Sequence, residues 1–266
     1  GFNNKQIVAY RDMDGLIKKE YSIAMRVTKE EALDLPDQIF VTRKIELTPK
    51  TRKLYDRLRL DSFLELENEG TVTATTALTR LLRLQQLTGG FLVADEEEAP
   101  QSVSTEKLEA LQDIIIDYVL GEGKKLVIFA RFLAEVHAIE KLCEKVLPKD
   151  MKAVSIYGAI KKEDRGPIIK QFQEDPKTMI ILGQIDTLST GVTLTAASTC
   201  VYYSKSYNYA TYEQSLSRIH RIGQTQKCTY IDLVADKTVD MNISKALKEK
   251  KNLAEKIVDN WRDIFS

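Results

Sequence analysis

The sequence predicts an α/β protein whose centre is a parallel, doubly wound sheet. Short, continuous apolar runs such as KLVIFA, TMIILG and CTYIDLV have the length of strands that are buried on both faces. Amphipathic segments such as STEKLEALQDIIIDYVLGEG and LAEVHAIEKLCEKVL lie between these runs and have helical periodicity. Strands that alternate with helices in this way form parallel sheets with helices on both faces.

The composition indicates an ordinary soluble domain. The chain has 266 residues, of which 43% are apolar and 29% are charged. Lys plus Arg and Asp plus Glu balance at 39 each, so a site for a polyanion has to be a local patch. Three widely spaced cysteines and two histidines do not predict a metal site. No apolar run approaches the roughly 18 residues of a membrane span, and we expect a monomeric, cytoplasmic protein that does not contact a membrane.

The first hundred residues have a different pattern. QIFVTRKIEL alternates as a strand does, and LTPKTRKLYDRLRLDSFLELENEG and TATTALTRLLRLQQLTGG predict a helical hairpin. The basic residues of the hairpin form either a solvated face or a contact with a phosphate backbone. The acidic stretch ADEEEAPQSVS predicts a linker, and residues from Val239 to Phe265 predict a final amphipathic helix that packs back on the protein. The predicted regions are therefore residues 1–103, 104–237 and 238–266.

The loops that follow the buried strands are the expected ligand site. In an open parallel sheet, ligands lie outside the carboxyl ends of the strands. The loop GQIDTLSTGVTLT contains Ser189, Thr190 and Gly191, whose hydroxyls and open backbone can approach a phosphate or a sugar. Such a tripeptide is also common in simple turns.

Two arginines in QSLSRIHRIGQTQ suggest a more specific hypothesis about a phosphate site. If this stretch begins as a helix, the spacing of Arg218 and Arg221 puts both guanidiniums on one face. They form either a solvated face or a phosphate clamp, since an arginine fork matches phosphate oxygens and stays charged. The chain has no G-x-x-x-x-G-K-[ST] loop and no D-E-x-H box. An arginine pair without a phosphate cradle predicts half of a nucleotide site.

The order of these elements resembles a known family. KKLVIFARF, SIYGAIKKEDRGPIIKQFQED and the stretch from IILGQ to RIGQTQK resemble motifs IV, V and VI of superfamily-two helicases. The form RIHRIGQ is typical of the Swi/Snf family of DNA-dependent ATPases, and the short connection before the Lys124 strand resembles compact bacterial or phage-encoded members. ELTPKTRKLYDRL and LLRLQQLTGG resemble the helical protrusion of that family's second lobe.

The resemblance implies a RecA-like C-terminal lobe. It implies ATP with Mg²⁺ that is held mainly by an N-terminal lobe of the same polypeptide, whose end would be residues 1 to about 27. Arg218 and Arg221 match the catalytic arginines of motif VI, and Gln214 and Gly191 match other ATP-binding positions. The DNA-binding positions that we expect, on DNA expected to be double-stranded, are Arg131, Gly158, Lys161, Lys162, Ser189 and Thr190.

Three functions remain open from the sequence. The favoured one is the C-terminal motor lobe of an ATP-dependent DNA translocase or helicase, in which this chain alone hydrolyses no ATP. The second is a lobe of an RNA or single-strand helicase, because motifs IV to VI are shared. The third is a non-catalytic, RecA-like module that binds a protein partner.

Overall fold

A six-stranded parallel sheet organises the part of the chain from Pro36 to Ser266. The computed structural model describes residues 12–24, 33–68, 73–93, 99–189, 191–250 and 261–262. The spatial order of the strands is β1-β8-β7-β4-β6-β5, and every neighbouring pair is parallel. The strands of this sheet are β1 (Gln38–Ile45), β4 (Leu126–Ala130), β5 (Lys152–Ile156), β6 (Thr178–Gln184), β7 (Thr199–Tyr202) and β8 (Cys228–Ala235). A separate antiparallel ribbon pairs β2 (Phe91–Leu92) with β3 (Gln101–Ser102).

The central strands are buried on both faces, as their apolar runs predict. Every residue of β4 and β7 is buried. Along β4, Val127 and Phe129 contribute to one apolar core, whereas Leu126 and Ile128 contribute to the core on the other face. This alternation requires a layer of helices on each side of the sheet and confirms the doubly wound α/β fold.

The helices that surround the sheet follow the predicted segments. Their bounds are α2 (Pro49–Asn68), α3 (Ala74–Thr88), α4 (Glu106–Ile114), α5 (Leu133–Val146), α6 (Lys162–Glu174), α7 (Ile185–Leu188), α8 (Tyr209–Leu216) and α9 (Val239–Lys248). The helix α4 continues as a π-helix over Ile115–Gly121. None of the described helices is long and apolar enough to cross a membrane.

The predicted hairpin of α2 and α3 packs onto the sheet. The Thr48 hydroxyl accepts a hydrogen bond from the N–H of Thr51 at 3.3 Å, which caps the start of α2. Thr73 caps α3, and the helix ends at Gly89-Gly90, where Gly90 has a φ of 102° that favours glycine. Buried residues of both helices join the core that also contains Phe129, namely Tyr55, Leu66, Ala77, Leu81, Leu84 and Leu87.

The strand β1 belongs to the main sheet. It pairs with β8 over its full length, from Gln38 opposite Cys228 to Ile45 opposite Ala235. Eight aligned residues of parallel ladder make β1 the edge strand of the main sheet, although the sequence places it in the N-terminal region of residues 1–103. The boundary between the two compact units of the chain falls between Leu35 and Pro36.

The predicted C-terminal helix is shorter than expected. The helix α9 ends at Lys248, and Lys250 has a φ of 55°, which stops the helical path. The next described residues are Trp261 and Arg262, which are helical. Trp261 is buried, and its ring lies 5.4 Å from that of Phe63 in α2, so this end of the chain does pack back on the hairpin.

The smaller unit, Gly1–Leu35, contains one described helix, α1 (Met13–Tyr21). The side chain of Asp12 accepts a hydrogen bond from the N–H of Gly15 at 3.0 Å and caps this helix.

Candidate functional site

The two arginines lie in a turn and not on a helix. The helix α8 ends at Leu216, and residues 217–224, which we call the arginine turn, connect it toward β8. Our expectation that a helical face aligns the guanidiniums was therefore wrong. The N–H of Arg218 donates to the carbonyl oxygen of Ser215, so a turn replaces the last helical hydrogen bonds.

Both guanidiniums nevertheless point at one atom. Nη1 of Arg218 and Nη1 of Arg221 each donate to the carbonyl oxygen of Val192 at 3.1 Å. Arg218 also donates from Nε to the carbonyl oxygen of Gln214 at 2.9 Å, and its own carbonyl accepts from the N–H of Leu194 at 2.9 Å. The arginine turn is thus joined to residues 192–197, which we call the Val192 loop.

The charge of this pair is not balanced within the part of the chain that the structure describes. Neither Arg218 nor Arg221 forms an ion pair with a described residue. Burial, and then repulsion from Arg221, lower the pKa of Arg218. An arginine stays protonated at neutral pH in spite of such a shift. Two like charges that share one neutral carbonyl create a site that an anion such as a phosphate group fits.

The other residues predicted to bind ATP lie beside the pair. Gly191 is exposed and has a φ of 67°, and an added Cβ would meet no atom within 4 Å. The left-handed backbone therefore explains the glycine. Gln214 lies in the last turn of α8 with an exposed side chain, and its carbonyl oxygen holds Arg218.

Ser189 does not face the solvent. It is 1% exposed, and its N–H donates to the carbonyl oxygen of Ile185 in the short helix α7. The predicted contact of Ser189 with DNA stays a prediction. Thr190, the next predicted DNA-binding residue, lies outside the described residues.

Arg131 and Gly158 follow two different strands and are linked by Gln184. The Gln184 Oε1 accepts from the N–H of Gly158 at 3.1 Å, and its Nε2 donates to the carbonyl oxygen of Arg131 at 3.3 Å. The guanidinium of Arg131 lies 4.0 Å from the centre of the Tyr207 ring, a cation–π distance. Parallel strands end at the same edge of a sheet, so these loops form one surface.

Lys161 and Lys162 lie at the start of α6 and are exposed. Arg165 instead donates from Nε and Nη2 to the carbonyl oxygen of Ile160, at 3.1 and 3.0 Å. The two lysines are therefore available to an anion at a helix N-terminus, where backbone N–H groups also point outward.

Two glutamines of this region were missed from the sequence. Gln184 closes the apolar run TMIILG, and its position as the first polar residue after a buried strand was the available signal. Gln224 is the last residue of the motif RIHRIGQ. Its side chain is 7% exposed and donates a hydrogen bond to the backbone carbonyl oxygen of Ala197. The side chain of His220 contacts the backbone, since its Nε2 lies 2.9 Å from the carbonyl oxygen of Pro36.

The described part of the chain contains no cluster of three or more His, Cys, Asp or Glu side chains that could hold a metal ion.

Comparisons with known proteins show what this chain is similar to. The family model described as the helicase conserved C-terminal domain matches residues 106–223. An uncharacterized ATP-dependent helicase of Mycoplasma genitalium is 26% identical over 244 residues, which cover 91% of this chain and 23% of the relative. The chain spans about a quarter of the length of the curated relatives of this kind.

Solved structures extend the likeness to the whole fold. The Sulfolobus solfataricus SWI2/SNF2 ATPase core in complex with dsDNA is 26% identical, with a TM-score of 0.65, over 92% of this chain and 51% of that one. The C-terminal part of the Fun30 ATPase domain has a TM-score of 0.67 and 17% identity, over 87% of this chain and 97% of that one. Residues 106–223 therefore match a helicase C-terminal domain, and the described RecA-like fold is similar to that of the SWI2/SNF2 ATPase C-terminal domain.

Proposed function

We propose that this lobe supplies Arg218 and Arg221 to an ATP molecule that the N-terminal RecA-like lobe of the same polypeptide holds with Mg²⁺. The observation that carries the proposal is the convergence of two guanidiniums on the Val192 carbonyl without a described counter-ion. The relatives that share this domain are named as ATP-dependent helicases. The activity of the complete protein would be DNA-dependent ATP hydrolysis that drives translocation.

Hydrolysis of ATP would require this lobe to place positive charge beside the phosphates. Phosphoryl transfer spreads negative charge over the equatorial oxygens and onto the leaving oxygen. An arginine that enters from outside the phosphate cradle contributes a factor of roughly 10³ to 10⁵ in rate, or about 4 to 7 kcal/mol. The side chain of Arg221 has one described hydrogen bond, to the carbonyl oxygen of Val192. Its remaining N–H donors can therefore reach phosphate oxygens while this bond is kept.

The DNA face would lie at the carboxyl edge of the sheet. We place there Arg131, the backbone of Gly158, and the exposed Lys161 and Lys162. The SWI2/SNF2 core of similar fold was solved with double-stranded DNA, which supports duplex DNA as the partner. Each lobe would contribute part of the ATP site. Closure of the cleft between the lobes would therefore couple hydrolysis to movement along the duplex.

The test is the ATPase activity of the full-length protein with double-stranded DNA, single-stranded DNA or RNA. We expect double-stranded DNA to stimulate turnover most. Stimulation by RNA or single strands alone would favour a strand-separating helicase. A lack of ATP turnover with all three polymers would contradict the proposal and favour a protein-binding module.

A further inference from the structure

Gln224 is a buried side chain that joins the arginine turn to the Val192 loop. It is 7% exposed. Its Nε2 donates to the carbonyl oxygens of Ala197 at 2.9 Å and Thr195 at 3.3 Å, which belong to the loop. The same nitrogen donates to the carbonyl oxygen of Ile219 at 3.2 Å, which belongs to the turn between the two arginines. One amide therefore bonds to both segments that position the guanidiniums.

The opposite end of this amide closes the turn. The Gln224 Oε1 accepts from the N–H groups of Thr225 and Gln226, both at 3.0 Å. The N–H of Gln224 donates to the carbonyl oxygen of Arg221 at 3.0 Å. Gly223 precedes it with a φ of 97°, which lets the chain reverse at this point. Donor and acceptor ends are both in use, so the amide has one orientation.

We infer that Gln224 is a positioning residue for the two arginines, an inference that rests on the function proposed above. Ile219 is fully buried, so its side chain fixes the centre of the arginine turn. The Gln224 amide then fixes the position of the Val192 loop relative to this turn. The loop carries the Val192 carbonyl, which orients both guanidiniums. A displacement of about 1 Å in a catalytic group can cost a factor of about 10² in rate, so this contact matters although Gln224 would not touch ATP.

Gln224→Met tests the inference in the full-length protein. Methionine has a similar length but neither donates nor accepts as the amide does. We expect kcat for DNA-stimulated ATP hydrolysis to fall by about tenfold or more, while KM for ATP changes by less than about twofold. The matched control is Gln226→Met in the same segment. Gln226 is exposed and contacts Ser198 through its side chain, so we expect its kcat to be unchanged.

A double-mutant cycle separates positioning from a merely structural role. If Gln224 acts through the arginines, Gln224→Met should cause no further loss of kcat in a protein that already carries Arg218→Ala and Arg221→Ala. A loss that multiplies with that of the arginines would overturn the inference. So would an unchanged kcat in the folded single variant.

A second variant covers the case in which Gln224→Met does not fold. Gln224→Glu keeps an acceptor for Thr225 and Gln226 but loses the donor to the loop, so it should also lower kcat without a change in KM. If thermal melting shows that both variants unfold the lobe, Gln224 supports the fold and the inference is overturned. If the arginine variants themselves keep full kcat, the proposed function fails, which differs from a failure of Gln224 alone.

Discussion

At the scale of single residues, Glu135 in α5 is a carboxyl group enclosed beside the carboxyl edge of the sheet. It is 1% exposed, and burial raises its pKa to about 7. The Ser204 hydroxyl and the backbone N–H groups of Arg131 and Phe132 donate to Oε2 and oppose this shift. Oε1 has no hydrogen-bond partner among the described residues. The folded protein therefore holds a proton here more strongly than the unfolded chain does.

We predict that this carboxyl group makes stability depend on pH. Between the ordinary value of 4.5 and about 7, the folded protein binds more protons at Glu135 than the unfolded chain does. Its contribution to the free energy of unfolding is therefore largest below pH 4.5 and is lost as the pH rises through about 7.

Urea denaturation across this range, on the wild type and on Glu135→Gln, measures the effect. The wild type should lose stability relative to the variant as the pH rises. The control is Glu144→Gln at an exposed position of the same helix, which should follow the wild type. Parallel curves for wild type and Glu135→Gln would contradict the prediction.

At the scale of elements, a buried ion pair joins α4 to α9. The Lys107 Nζ lies 2.6 Å from Oδ2 of Asp240, and their side chains are 1% and 6% exposed. Asp240 also accepts from the Thr88 hydroxyl of α3 at 3.0 Å and from the N–H of Ala235 at 3.1 Å. Lys107 donates to the carbonyl oxygen of Tyr203 at 3.2 Å. The pair thus holds the hairpin, the last helix and the sheet together.

Removal of one partner should be costly. We predict that Lys107→Met lowers the free energy of unfolding by about 3–5 kcal/mol, because Asp240 is left buried without its cation. Lys170→Met removes a partner of the exposed pair Lys170–Glu174, whose side chains are 72% and 67% exposed, and should cost less than about 1 kcal/mol. Chemical denaturation of the isolated chain compares the two. An equal, small loss in both variants would show that the buried pair has no special role.

Local sequence pattern was sufficient for most elements and insufficient for contacts between distant segments. The strands β4 and β6 were predictable because a strand buried on both faces needs a continuous apolar run. The end of α8 at Leu216 was not predictable, because the sequence has no glycine or proline between Leu216 and Gly223. Long-range hydrogen bonds to the Val192 loop replace the helical hydrogen bonds at this point. Likewise, β1 pairs with a strand far along the chain, which no local pattern encodes.

Pro167 lies inside α6, which runs without interruption from Lys162 to Glu174. Because Pro167 follows the first turn closely, it removes one helical hydrogen-bond donor and leaves the rest of the helix intact. The arginines of the candidate site were predictable from the motif, whereas the hydrogen bonds of Gln224 depend on contacts between distant segments.

At the scale of the whole molecule, a net charge of zero makes any DNA binding local. We predict that the isolated chain binds duplex DNA weakly and with strong salt dependence. Lys161→Glu with Lys162→Glu should reduce the affinity and the salt slope without a change in melting temperature. Fluorescence anisotropy at several salt concentrations measures both.

The control reverses charge at the opposite edge of the sheet. Lys149 and Lys152 are exposed beside the amino end of β5, whereas Lys161 and Lys162 follow its carboxyl end. Lys149→Glu with Lys152→Glu changes the net charge equally and should leave the affinity nearly unchanged. An equal loss in both double variants would show that net charge, and not the proposed face, determines binding.

The central claim is that Arg218 and Arg221 act on the phosphates of ATP bound by another lobe. The most direct measurement is stopped-flow nucleotide binding together with DNA-stimulated turnover, in the full-length protein and its Arg221→Ala and Arg221→Lys variants. We predict that kcat falls by about 10²-fold or more in both, since a lysine cannot reproduce the arginine fork, while ATP affinity is retained. The melting temperature should barely change, because the side chain of Arg221 has a single described hydrogen bond, to the carbonyl oxygen of Val192. A collapse of ATP affinity with kcat unchanged, or unfolding of the lobe, would contradict the claim.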